Sequence, residues 1–342
     1  MPSQVEAVAW MSARFDMLAT ALTLWAVVFY LHFKQTRNRT TYAAVLLLYL
    51  FAMLSKESGF VLPLLLVAAE MFVFERLEIR ALGGLIGLGI VTFAYRWFVL
   101  SGVGGYSTSG MPSTLAFGLK TLEGLFIRGP SQLILGFNWE QPPSFLVIGI
   151  ASLTGATLLM LAITSRLVPQ NRSLIKLGLA WIILPIIPAH FLLMIGPGLT
   201  NSRVLYMASA GAALILGQLI YRLPRALQRQ AAVLSLSLLF SIGVVHNIGA
   251  WRWTARLSEQ VLADAQRLAP SPPPQTEFVF SGLPDTIRGV FFFHACLSDG
   301  LRLKYGREDI SARRDSEFSA DGLTSGAQIR FSWNGERLQP AP

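Results

Sequence analysis

Between residues 17 and 248 the chain carries eight apolar stretches, at 17–33, 42–54, 59–74, 81–100, 145–164, 174–195, 204–221 and 231–248. This recurrence constrains the fold more than any other feature. Segments of that character partition into lipid, where every backbone amide must be satisfied within its own segment, so each is read as a helix. Several fall short of the roughly 20 residues a perpendicular span needs, and their ends must borrow flanking residues or sit in a thinned bilayer. The stretches 42–54 and 59–74 are split by Ser55-Lys56-Glu57-Ser58, and the two together can also be read as one long broken helix.

Lysine and arginine close to span ends are retained on the cytoplasmic side, so their distribution orients the chain. One alternate set of loops holds Lys34, Arg37, Arg39, Arg76, Arg80, Arg166, Arg172, Lys176, Arg222, Arg225 and Arg229. Before the C-terminal region the opposite set holds only Arg14, Lys56, Lys120, Arg128 and Arg203. The alternation requires a true outer turn at residues 55–58, giving about eight spans with both termini outside. The sequons at Asn38 and Asn171 then fall on the inner side and should not be glycosylated.

Residues 101–144 are outer-facing and mixed, suiting an interfacial or re-entrant helix pair better than a span. Gly83, Gly84, Gly87 and Gly89 are spaced to let another backbone approach the fourth helix closely, a packing feature. The first residues contain Glu6, Arg14 and Asp16 and lack the basic start and apolar core of a removable signal peptide.

Three regions are expected: a transmembrane module over 1–250, an amphipathic helix and Pro-rich linker over 251–275, and a small extracytoplasmic α/β domain with a disordered tail over 276–342. The fold class is therefore an all-α polytopic membrane protein with a small C-terminal α/β domain. A formal net charge of +9 is compatible with nucleic-acid binding, but the cations lie in short clusters between apolar runs instead of on one basic face, so no nucleic-acid partner is expected. A single cysteine, Cys296, excludes an intrachain disulfide and a Cys-rich metal site. His32, His190, His246 and His294 share no metal-ligand spacing. Glu70 and Arg96 lie toward helix ends, where snorkelling suffices to explain them.

Ionisable side chains near membrane depth cost roughly 2.5–3.5 kcal/mol each on insertion scales, which makes them functional candidates. They crowd the predicted outer interface: Glu6, Arg14 and Asp16 before the first span, Lys56 and Glu57 in the outer turn, Arg203 and Tyr206 at the start of the seventh. Convergence of Arg14, Lys56 and Arg203 would make an anion site, most naturally for the phosphate or pyrophosphate of a lipid. The alternative is that each caps a helix, pairs with Glu6, Asp16 or Glu57, or snorkels to headgroups.

Residues 2–20, PSQVEAVAWMSARFDMLAT, resemble the HPxxxEAVAWxSxRxDLLAT segment of GT-C glycosyltransferases of the protein O-mannosyltransferase type, especially their transmembrane and tetratricopeptide-containing relatives. Leu54-Ser55-Lys56-Glu57 followed by Leu62-Pro63-Leu64 resembles the LSKE…LP turn of that family. Residues 202–211, SRVLYMASAG, resemble its ERxLYLPSxG motif. The resemblance covers roughly residues 2–250 and implies transfer of a hexosyl or mannosyl group from a polyprenyl-phosphate carrier to a protein, lipid or glycan acceptor outside the cytoplasm. It carries lipid-phosphate binding onto Arg14 and Lys56, with Arg203 and Tyr206 closing the pocket and Asp16 and Glu57 in support. Glu6 is left with three roles: holding a divalent metal, the acceptor, or Arg14.

Members of that family place an acidic catalytic motif on an outer loop ahead of this region, and here Met1-Pro2 stands where they have His-Pro. The polypeptide alone is accordingly expected to be inactive. The other readings are a non-catalytic polyprenyl-phosphate-binding partner or gene remnant, and a secondary transporter, for which polar groups at mid-membrane would be expected. The expected location is a bacterial inner membrane with the C-terminal domain in the periplasm.

Overall fold

The computed structural model describes residues 1–100, 122, 129, 132–133, 136–140, 172–190, 196, 198–293, 296–315 and 327–341. It divides into two compact units, Met1–Asn247 and Ile248–Pro342.

In the first unit a buried N-terminal segment, a 3-10 turn (Pro2–Gln4), the short helix α1 (Val5–Ala9) and a second 3-10 turn (Met11–Ala13), leads into α2 (Arg14–Thr36). Arg37, in the left-handed region at φ 58°, ends α2, and the Asn38 side chain then accepts from the Thr40 amide at 2.9 Å to cap α3 (Arg39–Ser55). The Asn38 carboxamide thus serves as a helix cap. A 3-10 turn (Glu57–Val61) precedes α4 (Leu62–Ala69), whose Pro63 lies in the first turn, where proline's missing N–H costs nothing. One π-helical turn (Glu70–Phe74) extends α4. Next come α5 (Ile79–Leu100), α6 (Arg172–His190), a 3-10 turn (Ser202–Leu205), α7 (Ala208–Tyr221) and α8 (Ala226–Leu268).

Four helical segments are long and apolar enough to cross a membrane: Arg14–Thr36, Glu57–Phe74, Ile79–Leu100 and Ala226–Leu268. Arg39–Ser55 and Ala208–Tyr221 are shorter apolar helices. The break at Lys56 separates α3 from the turn and α4, so residues 42–74 are two helices. The expected span at 145–164 and nearly all of the interfacial pair at 101–144 lie outside the described residues.

The core of this unit joins Tyr30, Tyr49, Leu62, Leu65, Leu66 and Leu85 from α2 to α5. Two of the four clustered glycines explain the approach of α5 to α3. A Cβ on Gly89 would lie 2.7 Å from the Tyr49 hydroxyl and one on Gly84 would overlap that of Tyr42, while Gly83 and Gly87 face open space. Large apolar side chains such as Ile90, Val91, Phe98, Leu234 and Val245 remain exposed along α5 and α8, the surface expected of helices that face lipid tails.

In the second unit the strands β1 (Glu277–Ser281), β2 (Thr286–Ile287), β3 (Val290–Phe291), β4 (Ser311–Arg314), β5 (Gln328–Trp333) and β6 (Leu338–Pro340) form two sheets, with α9 (Leu297–Tyr305) between β3 and β4. The larger sheet has the order β4-β1-β5-β6, with β1 parallel to both neighbours and β5 antiparallel to β6; β2 and β3 form a separate hairpin. Its core contains Phe278, Phe280, Phe292, Leu301, Ile310 and Phe331 together with Leu257, Val261 and Ala265 of α8.

The amphipathic helix expected after residue 250 is the end of α8, and its apolar face supplies part of this core. One expectation is corrected here. The tail is not uniformly disordered, because β4, β5 and β6 build three of the four strands of the larger sheet. In β5 the apolar residues Ile329, Phe331 and Trp333 alternate with Gln328, Arg330 and Ser332, the period of a strand, which the overall polarity of the segment conceals.

Candidate functional site

The N-terminal segment is held by side chains from distant positions. Ser202 Oγ donates to the Ser3 carbonyl at 2.8 Å, and Asn247 Nδ2 donates to the carbonyls of Pro2 at 2.8 Å and Gly136 at 2.6 Å. Gly243 leaves the space into which the Pro2 ring packs. This seating presents Glu6 of α1 to residues 201–203.

Glu6 is almost wholly buried and its carboxylate accepts four hydrogen bonds. They come from the Asn201 amide at 3.2 Å, Ser202 Oγ at 3.2 Å, the Arg203 amide at 3.1 Å and Arg203 Nη1 at 3.2 Å. Asn201, at φ 65°, lies in a turn whose amides at Asn201 and Arg203 both point at this carboxylate, while the Ser202 amide donates to the Leu199 carbonyl. The Arg203 guanidinium also lies over the Trp10 ring, 4.2 Å from its centroid. Burial pushes the Glu6 carboxyl above its ordinary value, opposed by the Arg203 charge and then by the hydrogen bonds.

Asp16 sits in the first turn of α2, 5% exposed, and its Oδ2 has no hydrogen-bond partner among the described residues. The charges of Lys56, Arg203 and Glu57 all act on this carboxylate. Lys56 is the extended residue that ends α3, and its amide donates to the Ala52 carbonyl at 3.0 Å. The turn lies directly against the end of α3, since a Cβ on Gly59 would be 2.5 Å from the Ala52 carbonyl carbon. Lys56 Nζ is 3.9 Å from Glu57 Oε1, and Arg96 of α5 reaches Glu57 Oε2 at 3.6 Å.

The structure therefore brings Asp16, Lys56, Glu57 and Arg203 into one electrostatic neighbourhood, with Glu6 behind Arg203. Arg14 is exposed, without an ion pair or hydrogen bond among the described residues, and two residues of helix turn it about 200° from Asp16. Glu6 takes Arg203 as its partner, not Arg14. Tyr206 caps the 3-10 turn that contains Arg203 and is partly exposed, with no hydrogen bond to its hydroxyl among the described residues. No group of three or more His, Cys, Asp and Glu side chains suited to a metal occurs among the described residues.

Sequence reasoning missed Trp10, Arg96, Ser202 and Asn247. Asn247 had a signal, a carboxamide within the apolar stretch 231–248; Arg96 had been explained by its place near a helix end. Glu70 was likewise assigned to snorkelling, yet it is fully buried at the other end of α4. There it accepts from the Tyr30 hydroxyl at 2.8 Å, Lys34 Nζ at 2.7 Å and the Glu78 amide, while Glu78 pairs with Lys34 at 2.8 Å and with Arg37.

Chemically, Glu6 is a saturated anchor for Arg203. Lys56, whose ammonium carries three donors and whose ion-pair partner among the described residues is Glu57 at 3.9 Å, retains capacity for an added anion. Against this geometry, no family model, no curated protein and no solved structure matches the chain.

Proposed function

We propose that the chain is a membrane glycosyltransferase module whose site takes the phosphate of a polyprenyl-phosphate-linked sugar and serves transfer of that sugar to an acceptor outside the cytoplasm. The observation that carries the reading is Lys56, set at the end of α3 with Glu57, 3.9 Å away, as its ion-pair partner among the described residues and with donors left for an anion, while Arg203 is held in place by the buried Glu6 at 3.2 Å. Cations placed so can hold the donor phosphate and stabilise the charge it gains on leaving. The module has eight spans with both termini outside, in a bacterial inner membrane, and the C-terminal unit lies in the periplasm. The motif resemblance around Glu6, Lys56 and Arg203 supports the assignment to polyprenyl-phosphate chemistry.

The saturation of Glu6 favours a second reading, a non-catalytic polyprenyl-phosphate binder. A carboxylate that already accepts four hydrogen bonds is a poor base for an acceptor hydroxyl. Both readings require the phosphate site. The test is photolabelling of the full chain in nanodiscs by a photoreactive polyprenyl phosphate. Labelling should be competed by unlabelled polyprenyl phosphate and fall roughly 10- to 100-fold in affinity in Lys56→Ala, the value of a lost charge-assisted contact. Labelling that resists competition, or that Lys56→Ala leaves intact, overturns the site. Sugar transfer from the loaded carrier distinguishes the enzyme from the binder.

A further inference from the structure

The charge-free stretch 231–248 is followed within five residues by Trp251, Arg252 and Trp253, with Arg256 one turn further along α8. Arg252 and Arg256 are both exposed and lie four apart, on one face of the helix, where like charges repel. Among the described residues neither is in an ion pair, nor is Glu259 on the next turn.

A third cation is brought to this face by the β2–β3 hairpin. Its turn residues Arg288 and Gly289 both have positive φ, 51° and 72°. That conformation belongs to the tight hairpin turn that favours asparagine, aspartate or glycine at both positions, so an arginine at the first is held at a cost. What holds it is visible: the Arg288 guanidinium stacks over Trp253, 4.4 Å from the ring centroid, and Thr254 Oγ1 donates to the Ile287 carbonyl at 3.3 Å. Trp253 nevertheless keeps 46% of its surface exposed. Asp285, just before β2, is paired with Arg314.

We infer that Arg252, Arg256 and Arg288, arranged around Trp253, form a docking surface for the anionic headgroups of the bilayer through which the chain passes. The inference rests on the reading of residues 231–248 as membrane-spanning, and is independent of any polyprenyl-phosphate site. Five residues of chain reach at most roughly 18 Å, so Trp253 cannot leave the vicinity of the bilayer surface whatever the placement of the rest of the unit. A tryptophan with one polar edge beside several arginines is the composition that headgroup depth selects, and anionic lipid supplies the counter-charge that the two helix arginines lack.

The test uses the full chain in nanodiscs of phosphatidylcholine alone or with phosphatidylglycerol added, read by hydrogen exchange of residues 286–291. The hairpin should exchange more slowly with phosphatidylglycerol present, and salt should reduce that protection. Each arginine contributes roughly fivefold to the preference, so the combined variant Arg252→Gln, Arg256→Gln, Arg288→Gln should abolish it while Arg288→Lys retains most of it. Exchange of residues 277–281 in the core strand checks that the unit stays folded in each variant. Equal exchange of the wild-type hairpin in both lipids overturns the inference and leaves an acidic protein partner as the alternative for this surface. Protection that persists in the triple variant, with its core intact, overturns the assignment to these residues.

Discussion

The carboxylate of Glu6 and the guanidinium of Arg203 meet at 3.2 Å across 197 positions of sequence, both side chains withdrawn from solvent. Removing one member of a buried pair leaves the other charged and unmatched, which costs about 3–5 kcal/mol. Glu6→Ala, which also strips the acceptor from Ser202 and two amides, should lose stability of that order. Glu6→Gln, which keeps an acceptor oxygen for Ser202 and the amides but still leaves the Arg203 charge unmatched, should lose less than Glu6→Ala. Thermal unfolding of the purified full chain in detergent measures both.

The same carboxyl predicts a pH dependence. Burial raises its folded-state value above the ordinary 4.5, so the folded chain binds this proton more tightly than the unfolded chain does. The resulting contribution to stability is fully present below about 4.5, declines as pH rises, and is gone above the raised value. The melting temperature of the wild type relative to Glu6→Gln should therefore fall as pH is raised from 4.5 through that window. A constant difference across the window would contradict the burial argument.

Helices α6 and α7 touch through glycine. A Cβ on Gly211 would overlap the Gly178 carbonyl and come within 2.8 Å of the Ile182 amide, both backbone groups that cannot step aside. Gly211→Ala should destabilise by about 1–3 kcal/mol, the usual cost of overpacking. Gly217, on the same helix with nothing within 4 Å, should gain up to roughly 1 kcal/mol on replacement by alanine. Paired melting curves of the two variants provide the check.

At the far end of α4, Glu70 joins three elements by accepting from Tyr30, Lys34 and the Glu78 amide. Tyr30→Phe deletes one contact and should cost about 1 kcal/mol, whereas Glu70→Ala removes the acceptor of Tyr30, Lys34 and the Glu78 amide together, Lys34 keeping Glu78 as its partner, and should cost about 2–4 kcal/mol. Comparison of the two by thermal unfolding tests whether the carboxylate, and not helix-end snorkelling, accounts for residue 70.

Asp16 Oδ2 has no hydrogen bond to lose. Asp16→Asn should therefore leave stability nearly unchanged and, by removing a negative charge from beside Lys56 and Arg203, tighten polyprenyl-phosphate binding. Weaker binding in a folded Asp16→Asn protein would argue that the carboxylate positions the cations instead of competing with the phosphate. Competition photolabelling supplies the affinity.

Long apolar runs and their basic flanks are local properties, so the helices α2, α5 and the first part of α8 could be read directly from composition. The turn at Lys56 was legible for the same reason: four polar residues between two apolar runs interrupt the helix wherever those runs pack. The sequence could also place Asp16, Lys56 and Arg203 toward one end of their helices, because period and length assign a residue its depth. What it could not assign was azimuth and partnership. Arg14 and Asp16 are two residues apart, yet one is exposed and the other buried, because the rotation of α2 is set by what packs against it. Glu6 turned to Arg203 because the amides of Asn201 and Arg203 and the Ser202 hydroxyl meet at the same point, a convergence that exists only after residues 1–13 have docked. The strands of the C-terminal unit were concealed for a related reason: their short alternation becomes a core only when Phe331 meets Phe278 and Phe280 beneath the end of α8. Hydropathy is summed along the chain, whereas hydrogen bonds and buried contacts depend on direction in space, and direction is decided by the tertiary structure.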